Sequence, residues 1–395
     1  MPQLILPDLD IHAPDARDGA EEIWAAMRDA DGLAFMPSHG GFHIVARHQD
    51  LMTALLDPRR FASGDGITVP APDGVRSPHI PAEVDPPLHR GYRALLTPFL
   101  TPQKIREREP SVRRIVTGLL DKIGDQLRFD VVDRLARPLP VLGTIDLLGL
   151  PMDDAMVLDE LVVELHQEVA TGVRTGAAQK LTDYVGRIIT ERRPHAKDAK
   201  ADLLSSILMG TVDGRNLTHD EQVSMIRLFL IGGFDTTAIA LATAIWWLAQ
   251  HPDDVARLRA DPALIDNLIE DAVRFASPST YLRRIVTADT QLGGTSLQAG
   301  DQLLLAFAAA NRDPAHFDQP DDIRLDRCPN QHLGFGAGHH RCVGSFFAKL
   351  EMRVALQEIL ARYANFQLDP ERPCKLGSGL NQGLTSLPMI FERHS

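Results

Sequence analysis

Ten residues near the C-terminus, 335 to 344, constrain this 395-residue chain more than any other stretch: they read Phe-Gly-Ala-Gly-His-His-Arg-Cys-Val-Gly. Gly336, Gly338 and Gly344 carry no Cβ, so the backbone can turn sharply and pass close to something flat and bulky. From Ser345 onward the chain is rich in helix formers, which places Cys342 at a helix N-terminus. Free N–H groups and the helix dipole favour thiolate over thiol there. A sulfur so placed can bind a metal.

The same ten residues fill every fixed position of Phe-Gly-x-Gly-x-His/Arg-x-Cys-x-Gly, and the loop resembles the heme-ligand loop of the cytochrome P450 family. The resemblance implies that Cys342 is the axial ligand of a heme b iron (iron protoporphyrin IX). Phe335, Gly336, Gly338 and His340 then belong to the cofactor-binding loop. It also implies a mainly α fold with small β-sheets, in which a long central helix and the cysteine loop enclose the heme.

Length alone suggests two or three domains. Gly and Pro are spread evenly, however, and no charge run, low-complexity stretch or repeat divides the chain, so one mostly helical domain over 1–395 is expected, with no fused reductase. Hydrophobic residues, 44% of the total, suffice for a sizeable core. A net charge of -12 argues against a nucleic-acid partner. The N-terminal apolar run is short and broken by Pro7, without a basic leader or a membrane-length span, so a soluble, cytoplasmic protein is expected. Three cysteines (Cys328, Cys342, Cys374) make no disulfide framework.

Periodicity predicts a helix over 20–31, a strand over 41–46, a helix over 48–56 and an irregular loop over 61–84. In the family that loop closes over substrate. Asp85-Pro86-Pro87 predicts a helix start capped by Asp85. His89 and Arg93 then lie four apart on one face, and in the family the matching pair binds a heme propionate. Helices are predicted over 111–125, 133–149, 153–171 and 177–193. The last two carry no motif and read as architecture, which in the family forms the lid.

A long helix is predicted over 218–250, opened by the capping-box pattern Thr218 to Glu221 and closed before Pro252. Gly232 and Gly233 in its interior cost roughly 1 kcal/mol each relative to alanine, so they need a reason. Close approach of a neighbouring helix and a functional groove both supply one. Followed by Asp235 and Thr236, the segment resembles the family's oxygen-activation groove. The resemblance implies that Gly232 leaves room for dioxygen, that Thr236 sets a hydroxyl beside it and that Asp235 relays protons from solvent. By position, Leu228, Ile231, Gly232, Ser279 and Thr385 line the substrate pocket.

Asp271 and Arg274 stand where the family has Glu-x-x-Arg, a brace whose third member, an arginine, falls here at Asp322, with Arg324 the candidate substitute. Arg284, ten residues past Arg274, matches the second propionate-binding arginine. Residues 378–388 resemble the C-terminal hairpin that reaches into the pocket, so the resemblance runs from about 20 to 393. It implies a monomeric monooxygenase that inserts one atom of O2 into a small hydrophobic substrate, with electrons from a separate ferredoxin or flavodoxin and its reductase. Arg341, Lys349 and Arg353 form the expected docking patch. A peroxide-driven enzyme and a non-catalytic heme binder are the alternatives, and Asp235, Thr236 and Cys342 weigh against both.

Overall fold

The apolar run within 218–250 becomes the axis of the molecule. In the computed structural model, which describes residues 4–6, 20–69, 78–171, 173–377 and 381–394, the helices are α1 (Ala20–Asp29), α2 (His48–Leu56), α3 (Leu88–Leu96), α4 (Pro102–Arg106), α5 (Glu109–Ile123), α6 (Pro138–Leu148), α7 (Ala155–Thr171), α8 (Ala177–Arg192), α9 (Leu203–Leu208), α10 (His219–Leu248), α11 (Pro252–Ala260), α12 (Leu264–Ala276), α13 (Phe307–Ala310) and α14 (Ser345–Arg362). Helix α10 starts as predicted: the Thr218 side chain accepts from Glu221 N, and Glu221 accepts from Thr218 N. Its buried positions lie on several sides because α6, α7, α8, α9, α12 and α14 all pack on it. By composition it is the one helix among the described residues apolar enough to cross a membrane, and most of that window is buried inside the protein.

The two interior glycines have different reasons. A Cβ on Gly233 would meet Thr144 Oγ1 of α6 at 2.6 Å, so Gly233 lets α6 approach α10. A Cβ on Gly232 would meet nothing within 4 Å, and Gly232 is exposed in the middle of a buried helix. That glycine faces open space.

Two predicted boundaries are corrected. The single helix over 133–149 is instead a π-helical turn, Val132–Ala136, followed by α6. Pro138 suits the first turn of a new helix, where an N–H is not needed, and Gly149 closes α6 in the left-handed conformation at φ 66. Asp85 does not cap α3: Pro87 holds that position, and the Asp85 carboxylate accepts from Ser63 N (2.9 Å) and Gly64 N (2.8 Å). It fastens the start of the 61–84 loop to the foot of α3.

A five-stranded sheet flanks the helices in the order Ala34–Met36, Phe42–Val45, Gln302–Ala306, Tyr281–Val286, Phe61–Ala62. Only the second and third strands run parallel. Arg283 and Arg284 are buried on the fourth. Leu384–Ser386 pairs antiparallel with Lys375–Leu376 in the C-terminal hairpin, whose residues 378–380 lie outside the described residues, and Pro388–Arg393 follows it.

The brace behind the cysteine loop is complete. Asp271 and Arg274 are fully buried, with Arg274 Nε donating to Asp271 Oδ1 at 2.6 Å and Nη2 to Oδ2 at 3.1 Å. The third member is Arg327, not Arg324: Arg327 Nε donates to Asp271 Oδ1 at 2.8 Å. Arg324 contributes its backbone N–H (2.7 Å), and Asn330 Nδ2 adds a fifth bond at 3.0 Å. The Arg324 side chain turns outward to Asp318 and Asp326. Asp322, at the expected arginine position, offers its carbonyl to Arg274 and Arg327.

Candidate active site

The cysteine loop is shaped by its own backbone. Gly336 and Gly338 adopt φ of +66 and +65, which side chains rarely tolerate, and a Cβ on Gly338 would lie 2.5 Å from Leu55 O. Cys342 N–H donates to Phe335 O at 2.8 Å. A single turn, Gly338–His340, precedes the sulfur and α14 follows it. The helix start alone predicts a thiolate, but burial is the larger effect and pushes the Cys342 thiol up, against the N–H groups of Gly344 and Ser345 and the charges of Arg93 and Arg341. The protein's own groups therefore leave it a thiol; a bound metal ion deprotonates such a sulfur. Cys342 nonetheless keeps free surface. Both facts hold for a sulfur that faces an interior cleft rather than bulk water.

Donors and cations gather around this sulfur, and among the described residues Asp85, beside His340, is the carboxylate that meets them. His89 of α3 is 3% exposed, and its Nε2 is buried without a hydrogen-bond partner. Burial, then repulsion from His340, Arg93 and His339, pushes it down to about 4. Its ring lies 4.5 Å from that of His340. Arg93, one turn further along α3, is lowered by burial, with only Cys342 opposing. Arg284 is equally buried, donates only to the Arg283 carbonyl (2.7 Å), and is pushed down to about 10 by burial, with Asp85 opposing. His340 Nε2 lies 3.3 Å from Ser63 Oγ and 3.9 Å from Asp85 Oδ1; burial lowers it, and its bond to Asp85 opposes.

Among the described residues no carboxylate forms an ion pair with Arg93 or Arg284. A buried guanidinium without a counter-anion is costly. The set consequently fits a ligand that brings two carboxylates and a thiolate-seeking metal, which is what a heme with its propionates presents. Arg283 is engaged elsewhere, its Nε donating to Gln302 Oε1 (2.7 Å) and its Nη1 to Asp65 O (2.6 Å), and so it pins the loop.

On α10, Leu228, Gly232 and Thr236 follow one another at four-residue intervals on one face. Thr236 Oγ1 donates to Gly232 O at 3.1 Å. Leu228 and Ile231 are half-buried. Asp235 is turned aside, its Oδ2 lying 2.6 Å from His166 Nδ1 of α7. Ser279 donates to Asn381 Oδ1 at 3.4 Å, within a bridge that ties the C-terminal segment to the sheet. Thr385 is exposed and donates to Lys375 O at 3.4 Å across the hairpin. Gly383 is the hairpin residue packed on α10, against Ile239.

Sequence reasoning missed His166, Ser63, Gly383 and Arg327, and gave Asp85 a capping role in place of its hold on Ser63 and Gly64. Only His166 had a spacing signal, seven residues after Asp159 and thus on the same face of α7. The expected docking patch is also altered. Lys349 pairs with Glu270 (2.7 Å) and Arg353 with Asp266 (2.6 Å), so α12 neutralises both and leaves Arg341 exposed between them and the loop.

Comparison with known proteins agrees with this geometry. The family profile described as Cytochrome P450 matches residues 170–386. The Steroid C26-monooxygenase of Mycolicibacterium smegmatis is 32% identical over 388 residues, covering 95% of this chain and 94% of that one. The cyclomarin C epoxidase CymV of Salinispora arenicola is 33% identical over 333 residues, covering 82% and 83%. Among solved structures, CYP109E1 from Bacillus megaterium, in complex with testosterone, superposes with a TM-score of 0.86 at 27% identity, covering 96% of this chain and 99% of that one. A helix-rich fold with small sheets, the matching family profile and relatives at this level together establish that the chain belongs to the cytochrome P450 family and is a heme-dependent monooxygenase.

Proposed function

We propose that this chain inserts one atom of O2 into a small hydrophobic organic substrate, using heme b and electrons from a separate ferredoxin or flavodoxin system. The observation that carries this reading is the cluster around a Cys342 that retains free surface: His89, whose buried Nε2 has no partner, Arg93 and Arg284, which form no ion pair among the described residues, and His340 beside them. In it, Cys342 would hold the heme iron, the four donors would hold the propionates, and Phe335, Gly336 and Gly338 would shape the cysteine loop around the cofactor. Heme, when bound, would supply the oxygen activation, and a thiolate ligand would push electron density onto its metal.

The chain's own residues then position substrate and protons. Gly232 leaves the groove open, while Leu228 and Ile231 provide an apolar wall that orients a hydrophobic molecule and excludes water. Thr236 now donates within its own helical turn, and rotation about χ1 turns the same hydroxyl toward the groove. Asp235 carries protons toward that hydroxyl from the α7 side. A hydrophobic substrate class is supported by the absence of acidic or basic side chains among Leu228, Ile231, Gly232 and Ser279, and by relatives named for a steroid and for cyclomarin C. The test is an optical titration of the heme-loaded protein with steroids, terpenoids, small aromatics and fatty acids, followed by turnover with a ferredoxin system. Hydrophobic neutral compounds are expected to shift the heme absorption and yield oxygenated product. Tight binding by fatty acids alone contradicts the assignment.

A further inference from the structure

The lid helix α7 touches α10 through the side chain assigned above to proton relay. Asp159 and His166 lie seven residues apart on one face of α7, and each grips a group of opposite sign from the elements beneath. Arg137, at the start of α6, places Nε 2.9 Å from Asp159 Oδ2 and Nη2 3.0 Å from Asp159 Oδ1. Asp235 places Oδ2 2.6 Å from His166 Nδ1. The two contacts are not equivalent. Arg137 stays charged whatever the pH, whereas an imidazole nitrogen can give up its proton.

Two lone pairs 2.6 Å apart repel, so a hydrogen on His166 Nδ1 is the arrangement that makes this contact attractive. The oxygen lies off the N–H direction, so the contact is close but not aligned, and neither Nδ1 nor Nε2 of the buried ring edge has a hydrogen-bond partner. The Nδ1 edge of the ring faces Asp235 and Nε2 lies against protein. Arg137 also acts on Asp235 at longer range, and Asp133 acts on Arg137. Among the described residues His166 is the one side chain in direct ionic contact with Asp235.

We propose that His166 is a positioning residue for Asp235: its Nδ1–H fixes the carboxylate between α7 and α10, so that proton delivery to the Thr236 groove depends on how the lid helix is seated. The inference rests on the relay role proposed for Asp235 and adds a residue from the lid. No covalent step is involved; the ring sets the aim of the carboxylate and shares a proton with it.

The test uses the full heme-loaded chain with its electron donors, as wild type, D235N, H166L and H166Q. Three quantities are read: product per reducing equivalent at saturating substrate, substrate affinity by optical titration, and the His166 ring tautomer by 15N NMR of the reduced, carbon monoxide-bound protein, which is diamagnetic. H166L is expected to lower coupling by about threefold or more, with substrate affinity changed by less than about twofold. H166Q, whose amide can still donate to Asp235, is expected to recover part of the loss. In wild type the proton should sit on Nδ1, and D235N should shift it toward Nε2. If D235N couples as well as wild type, the relay role of Asp235 falls and this inference with it. If D235N uncouples while H166L does not, only the His166 assignment is overturned, and the same holds if H166L weakens substrate binding while coupling is unchanged.

Discussion

Asp271→Asn is the substitution that best separates a buried brace from surface charge. The Asp271 carboxylate accepts five hydrogen bonds, two from Arg274, one each from the Arg327 side chain, the Asn330 amide and the Arg324 backbone, and both Asp271 and Arg274 are fully buried. Asparagine keeps the shape but removes the charge and turns an N–H₂ toward groups that can only donate. Breaking a buried pair in this way costs about 3–5 kcal/mol, since a charge is left without its partner in a site water cannot reach. Arg324→Ala is the control. Its guanidinium reaches Gln319 and the largely exposed Asp318 and Asp326, and its bond to Asp271 comes from the backbone, which alanine retains. The control should cost under about 1 kcal/mol. Urea unfolding followed by far-UV circular dichroism and by heme absorbance reads both variants. A loss below about 1 kcal/mol in Asp271→Asn, or an equal loss in Arg324→Ala, refutes the assignment of the third brace position to Arg327.

Three further perturbations follow from the same geometry. Gly233→Ala should destabilise by about 1–3 kcal/mol, because its Cβ overlaps Thr144, and Thr144→Ala should relieve most of that cost in the double variant. Gly232→Ala, with open space around it, should instead gain up to about 1 kcal/mol of stability from helix propensity while lowering turnover, measured by calorimetry and product assay on the same preparation. Glu351 of α14 is 1% exposed with Oε1 unpartnered against Gly143 of α6, and burial pushes its carboxyl well above the usual range. A carboxyl raised in the folded state binds more protons there than when unfolded, so its contribution is full below the unfolded value of about 4.5 and is lost as pH rises above it. Urea midpoints measured from pH 5 to 8 should fall less steeply in Glu351→Gln than in wild type.

Much of the site could be read from the chain because the chemistry demands local patterns. The cysteine loop needs glycines at Gly336 and Gly338 for positive φ, and a capping box announces α10. What escaped were partners brought together by tertiary packing. Arg327 reaches Asp271 from 56 residues away, and His166 meets Asp235 from a helix that carries no motif. The Arg327 contact leaves no local trace, and His166 leaves only its seven-residue spacing from Asp159. The Asp85 misassignment has a similar origin: an aspartate before two prolines has the composition of an N-cap, yet its carboxylate is drawn off by two backbone N–H groups of the preceding loop. The charge of the expected docking patch was read along α14 alone, while α12 supplies acids that pair with Lys349 and Arg353.

The central claim is that Cys342 holds a heme iron through its sulfur as a thiolate. The burial that pushes the free thiol up makes this a property of the metal-bound protein, so it must be measured there. Reduced, heme-loaded protein exposed to carbon monoxide should give the red-shifted Soret band of a thiolate-ligated heme, and Cys342→Ala should abolish it while far-UV circular dichroism still reports a helical protein. An unshifted band in the wild type, or a red-shifted band that survives in Cys342→Ala, contradicts the account.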